Sequence, residues 1–443
     1  MAHDESEPAG PRIALTWPGK QVAPPIDPRP VLVHREAYDP PAHDLPFDAL
    51  PEPWRNQLVR GDNRRVAAAL QPACQGQVAL IYLDPPFFVG SDFRLRRAGG
   101  GPAPVAYSDR WQGGLAEYLQ MLYDRLPLVR ELLAPDGSLF VHVDQRTQAH
   151  VRLLCDEIFG EGALVNELIW SYSTSGRPAD SFPRKHDTLF WYRRGPQHRF
   201  YPDQVRVPYS AEYLRTHFTA TDDAGQPVRK RFDAGRWRVY RPEQGMVPNS
   251  VWTIPYVNSQ AKDRTAYPTQ KPLELLERIV NAVTQPGDLV ADLCCGSGTT
   301  LVAAQRLGRR WLGCDVGALA IQTATQRLLG GERAFDVYDL GEPPSGGEVT
   351  VAAQVRPSGR GLHAVELLAP AAAEVALWAV DWAPAADGVF RYQWHAARSR
   401  RRPLASPLVT APRRFAPGEH EFAIKVVTVD GAEGVGRVRL TVG

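Results

Sequence analysis

Asp84-Pro85-Pro86-Phe87 follows a continuous apolar run, Val78 to Leu83. Proline fixes φ and has no N–H, so a carboxylate beside two prolines sits on a stiff turn, next to carbonyls free to accept hydrogen bonds. The phenylalanine adds a flat face for stacking. Carboxylate, carbonyl and ring together suit an exocyclic amine on a planar base. Taken alone the tetrapeptide also fits an ordinary turn; its place at the end of a buried run gives it weight. The second stretch is Asp292-Leu293-Cys294-Cys295-Gly296-Ser297-Gly298-Thr299-Thr300. Its glycines permit a tight turn and a close ligand approach, and the helix that follows begins with free N–H groups. Asp315 ends the next apolar run, where an acidic side chain commonly takes ribose hydroxyls. With Asp292 for an ammonium group, this pair suits S-adenosylmethionine better than a dinucleotide. The loop is not GxGxxG and lacks the GK[ST] of a phosphate loop. The bland alternative is a glycine turn between capped elements. Cys294 and Cys295 are neighbours that cannot easily share one ion, so they read as packing. The five cysteines have no CxxC spacing and set neither a disulfide framework nor a zinc site, so no metal is expected.

The elements around these stretches alternate. Val78–Leu83, 138–143, 289–293 and 310–314 read as strands buried on both faces. Leu115 to Leu133, 148–159, 273–283, 299–307 and a last segment ending near Leu329 read as helices; Pro272 opens the third. This alternation predicts an α/β fold with a doubly wound, Rossmann-like sheet. Residues 171–265 interrupt it with aromatic residues, arginine, proline and glycine. Twelve prolines in residues 1–55 predict an extended arm. Past a Gly/Pro-rich stretch at 341–360, the chain alternates in a β manner, clearest at Glu421–Asp430 and Val435–Val442, which predicts a small all-β sandwich.

Five stretches in order carry a resemblance to a family. They are Gly61-Asp62 with Asp84-Pro85-Pro86-Phe87, then Leu133 to His142, then Phe182-Pro183-Arg184-Lys185-His186-Asp187, Tyr267 to Pro272, and Cys295 to Thr300. Together they resemble the permuted beta class of amino-group DNA methyltransferases, which includes modification subunits of restriction systems such as the type III-like methylases. The resemblance covers about residues 56–330. It implies a catalytic half at 56–170, a target-recognition region at 171–265 and a cofactor half at 266–335. An extended arm (1–55), a linker (336–360) and a C-terminal β-sandwich (361–443), which resembles a PKD or Ig-like module, complete the division. It further implies that Asp84 and the Pro85 carbonyl accept from the target amine, with Pro86 stiffening the turn and Phe87 stacking on a flipped base. Asp62, Lys271, Asp292, Cys295, Gly296, Ser297, Gly298, Thr299 and Asp315 would hold S-adenosylmethionine. Cys294 stands where the family usually has an aromatic residue. An Asp at the first catalytic position implies adenine N6; cytosine N4, or an RNA substrate, is the alternative.

The formal charge is only +2, from 51 basic and 49 acidic residues, but it is segregated. Residues 177–241 and 391–414 each carry a net +7, which leaves the rest acidic. Interleaved with Trp170, Trp191, Trp237 and several tyrosines, the first of these regions suits phosphate and base contacts. Arg184, Lys185, Arg193, Arg194, Arg229, Lys230 and Arg231 are the DNA-binding candidates. Double-stranded DNA is the expected partner, with a homodimer and a separate restriction or defence protein on the C-terminal module as further expectations. No apolar run is long enough to cross a membrane and no secretory start is seen, so a cytoplasmic protein is expected. A catalytically idle DNA-binding scaffold is the reading from another class.

Overall fold

A computed structural model describes residues 14–26, 30–40, 54–95, 103–173, 178–233, 235–258, 261, 263–341, 348–359, 361–398, 404 and 408–443. Its centre is an eleven-stranded sheet. In chain order its strands are β1 (Leu32–Tyr38), β2 (Asn56–Arg60), β3 (Val78–Leu83), β4 (Leu133–Val143), β5 (Leu164–Ser171), β6 (His186–Arg193), β7 (Val251–Thr253), β8 (Leu289–Asp292), β9 (Arg310–Asp315), β10 (Phe335–Leu340) and β11 (Phe390–Arg391). The spatial order is β7-β5-β6-β4-β3-β8-β9-β2-β10-β1-β11. The six central strands, β4 to β10 in that order, are mutually parallel, and β6 and β1 run against them.

The central strands alternate their side chains between two cores, as the period of two requires. Ile81, Leu139 and Val141 face helices α1 (Asn63–Cys74), α2 (Gly114–Tyr123), α3 (Leu126–Leu132) and α4 (Gln148–Phe159). Leu80, Tyr82, Phe140 and Trp311 face α5 (Leu273–Val283), α6 (Thr299–Arg306) and α7 (Ala318–Leu328). Every residue of β3 and β8 is buried, which explains their unbroken apolar runs. Because β2, β3, β8 and β9 are parallel neighbours or near neighbours, their carboxyl ends open on one edge, where ligands bind in such sheets. The doubly wound α/β expectation is met.

Several boundaries differ from the sequence reading. The helix expected from Leu115 to Leu133 is two helices, with Pro127 opening the second. The strand expected at 138–143 starts at Leu133. The region expected as a separate insert at 171–265 contributes β6 and β7 to the main sheet. The linker expected at 336–360 holds most of β10 and a strand at Ala352–Pro357 that pairs with Leu362–Ala369. The C-terminal sandwich therefore begins before 361, and β11 from within it pairs with β1 of the main sheet. The arm expected at 1–55 lies partly outside the described residues. Where described, it packs on α2 and α4: Trp17 Nε1 donates to Gln120 Oε1 at 3.2 Å and Lys20 Nζ to Glu157 at 2.7 Å. Its later part, β1, is an integral strand. Among the described residues no helix is long and apolar enough to cross a membrane.

Candidate active site

The carboxyl ends of the parallel strands enclose a cavity of about 370 Å³. Asp84, Pro85, Pro86 and Phe87 at the end of β3 line it. So do Asp292, Cys295, Ser297 and Thr299 after β8, Asp315 at the end of β9, and Gly61 and Asp62 after β2. The two motifs, more than 200 positions apart in sequence, thus form one site because β3 and β8 are hydrogen-bonded neighbours.

At β3, Asp84 Oδ2 accepts from Lys271 Nζ at 2.6 Å, and the same ammonium lies 4.9 Å from the Phe87 ring centre. Asp84 Oδ1 is buried and has no hydrogen-bond partner. A buried acceptor left unmade is costly, so such an atom marks a place where a donor is expected. Burial alone would push the Lys271 ammonium down; the charge and hydrogen bond of Asp84 outweigh this and hold it above lysine's usual value. Behind Asp84 lies a largely buried network. His142 Nδ1 is 2.6 Å from the Tyr82 hydroxyl and 3.9 Å from Asp84 Oδ1. Its Nε2–H donates to Asp187 Oδ2 at 3.2 Å, and Tyr172 donates to Asp187 Oδ1 at 3.0 Å. Burial works against the Asp187 carboxylate, but the bond from His142, with Lys271 and Tyr172 beyond it, keeps its pKa below the usual value.

The glycine loop is held from three sides. Gly296 N donates to Asp315 Oδ2 at 2.9 Å, and Gly317 N to Asp315 Oδ1 at 2.8 Å. Arg327 on α7 donates to the Ser297 carbonyl at 2.7 Å and to Thr299 Oγ1 at 2.9 Å; burial draws this guanidinium down to about 10. Gly298 has a left-handed backbone, φ 74°, and a Cβ there would lie 2.8 Å from Ala324 Cβ. Glycine is required here for close helix packing. Gly298 itself is not among the residues that line the cavity, although its neighbours Ser297 and Thr299 are. Asp292 Oδ2 accepts from the Thr300 hydroxyl and Oδ1 from Cys294 N. Burial pushes its carboxyl up to about 7 despite those bonds; burial likewise raises Asp315.

Two of the residues expected at the cofactor line the cavity and also bond within the protein. Lys271 is the partner of Asp84. Asp62 caps α1, accepting from Arg65 N at 3.1 Å and from Arg125. Arg125 and Asn63 join it in the cavity wall; Asn63 had only its place beside Gly61-Asp62 as a signal in the sequence, and Arg125 had none. Arg184 and Lys185 precede β6 at the end of the sheet that bears Asp84, and Arg184 is exposed. Arg193 and Arg194 lie at the opposite end of β6. They donate to carbonyls, Arg193 to those of Gly162 and Gly195 and Arg194 to that of Leu133, so they brace the sheet and do not belong to a surface shared with the site. Arg229, Lys230 and Arg231 sit on a ribbon, Pro227–Asp233 with Arg236–Tyr240, to which the short strand Ala220–Thr221 adds a third member. Arg229 is partly internal, stacked on Tyr213 and Tyr240. The ribbon also presents Trp237, singled out in the sequence, and Phe232, which was not: the two pair across the strands and are 69% and 59% exposed.

The profile of the DNA methylase family matches residues 78–326, a span that contains both motifs and more than half of the chain. The chain belongs to the DNA methylase family. It is accordingly a DNA methyltransferase. Among curated relatives, the Type II methyltransferase M.EcaI of Enterobacter cloacae is 28% identical over 75% of this chain and 81% of its own length. The DNA adenine methyltransferase YhdJ of Escherichia coli K12 is 24% identical over 61% of this chain and 82% of its own. Among solved structures, the cytosine-N4-specific PvuII DNA methyltransferase covers 62% of this chain and 86% of its own, with 17% identity and a TM-score of 0.43.

Proposed function

We propose that this methyltransferase belongs to the permuted beta class and transfers a methyl group from S-adenosylmethionine to the exocyclic N6 amine of adenine in duplex DNA. The observation that carries the reading is the orphaned, buried Oδ1 of Asp84, a residue that lines the cavity beside Phe87. An amine donating to Oδ1 and to the Pro85 carbonyl would have both protons engaged, which localises its lone pair toward attack. Phe87 offers the flat face on which a base would stack. A base inside the duplex cannot reach such a site, so it is flipped out.

The donor set fits the cofactor. Asp292 suits the ammonium of its methionine end and Asp315 the ribose hydroxyls, and the cavity is within the size range of small-ligand sites. A Cβ at Gly296 would press within 3.2 Å of the Tyr267 ring, so the loop keeps its close approach to the cavity only with glycine there. When bound, S-adenosylmethionine supplies a methyl group activated on a sulfonium. The residues of this chain then act by orientation, and such positioning is worth on the order of 7–11 kcal/mol. Lys271 holds Asp84 through Oδ2 and leaves Oδ1 without a hydrogen-bond partner. The target adenine follows from the Asp at the head of the tetrapeptide, and DNA contact from Arg184, Lys185 and the basic ribbon. Expression in a methylation-free host, followed by sequencing that reports modified bases, tests this. N6-methyladenine in one sequence context is expected; N4-methylcytosine would shift the substrate, and an unmodified genome would reject the reading.

A further inference from the structure

Two non-glycine residues among those described adopt a left-handed backbone, Phe88 at φ 60° and Thr269 at φ 58°. Both flank the site: Phe88 follows the tetrapeptide Asp84 to Phe87 directly, and Thr269 lines the cavity two positions before Lys271. For a bulky residue this conformation is a true outlier and persists only where the surroundings impose it. One segment, 105–111, reaches both. The Tyr107 hydroxyl donates to Thr269 Oγ1 at 3.4 Å, and its ring stacks on Phe93 and Tyr267. Two residues on, Asp109 is fully buried. Its Oδ1 accepts from Phe88 N at 3.2 Å and Trp111 Nε1 at 2.7 Å, and its Oδ2 accepts from Val89 N at 2.8 Å. Its backbone is tied to the same turn, with Gly90 N donating to its carbonyl at 3.0 Å and its own N donating to Ser91 O at 3.1 Å.

We propose that Asp109 is a positioning residue for methyl transfer: it holds Phe88 in the left-handed turn that aims Asp84 and Phe87 into the cavity. This rests on the reading of Asp84 to Phe87 as the amine-binding group. Three N–H groups converge on one carboxylate, an arrangement only an acceptor with two oxygens satisfies. Asn at 109 would turn an amide NH₂ toward at least one of those donors and release the turn.

The test uses the full chain, S-adenosylmethionine labelled in the methyl group and genomic DNA from a methylation-free host. Asp109→Asn is expected to lower kcat at least tenfold while the Kd for S-adenosylmethionine stays within about twofold. A purely structural role would lower Tm and leave kcat per folded molecule unchanged, which would overturn the proposal. Phe88→Gly in the Asp109→Asn background supplies the second arm, since glycine takes φ 60° without a clamp. It should recover at least threefold in kcat although it gives up the ring packed on Tyr118; no recovery contradicts the clamp. If Asp109→Asn does not fold, the double variant carries the test, with folding and activity restored as the expected result and failure to fold as the contrary one. A wild-type protein that transfers no methyl group would instead reject the underlying reading.

Discussion

Asp84 has one oxygen engaged by Lys271 and one without a partner, and the proposed chemistry turns on that asymmetry. Asp84→Ala should lower transfer by at least about 10²–10³-fold, the scale for removing one preorganised group from an active site. Cofactor affinity, measured by calorimetry, should persist. A second residue-scale expectation follows from Asp292, whose carboxyl burial raises to about 7. A raised carboxyl holds its proton more tightly in the folded chain than in the unfolded one, so its ionisation costs stability as pH rises from the ordinary carboxyl range toward 7, and a cationic ligand offsets that cost. If Asp292 binds the ammonium group, affinity for S-adenosylmethionine should fall up to about tenfold per pH unit below 7 and level off above it. Titration from pH 5.5 to 8.5 checks this, with Asp292→Asn expected to flatten the profile. The tetrapeptide, the glycine loop and Asp315 were legible as types at fixed spacings. The pairing of Lys271 with Asp84 was not, because it joins residues 187 positions apart.

At the scale of elements, the parallel strands place the site, and the basic ribbon is the strongest candidate for duplex contact. Its arginines lie beside two exposed aromatic rings, Phe232 and Trp237. Trp237→Ala should weaken DNA binding by about 1–3 kcal/mol, the range for losing a base-stacking ring. Lys230→Ala should reduce the salt slope of binding by about one. Arg194→Ala, by contrast, should leave DNA affinity unchanged and lower thermal stability, since its guanidinium serves the Leu133 carbonyl. Fluorescence anisotropy across a salt series separates the three. Charge density alone could not make that distinction. Arg193 and Arg194 look like the ribbon arginines in sequence, but they end a strand with six consecutive buried residues, Asp187 to Tyr192.

At the scale of the whole molecule, the C-terminal sandwich is joined to the catalytic sheet and not strung from it. Lys425, buried, pairs with Glu36 of β1 and with Glu433 at 3.1 Å; Tyr392 donates to Glu36, and Gln322 of α7 to the Gly431 carbonyl at 3.0 Å. Burial opposes the Lys425 charge, but the two carboxylates hold its pKa above the usual lysine value. Removing one partner of such a cluster leaves buried charge uncompensated, so Lys425→Met should destabilise the protein by about 3–5 kcal/mol, measured by denaturant unfolding. The sandwich was legible from β alternation; its docking was not, because β11 is two residues long and the ion cluster draws on residues 36, 425 and 433. The segmented charge of a nearly neutral chain is likewise divided by the fold between bracing arginines and exposed ones. The most direct test of the account incubates purified protein with S-adenosylmethionine and unmethylated DNA, then digests the DNA to nucleosides for mass spectrometry. N6-methyladenosine as its deoxynucleoside is expected from the wild type and none from Asp84→Ala that still binds cofactor; equal product from both proteins would contradict the central role of Asp84.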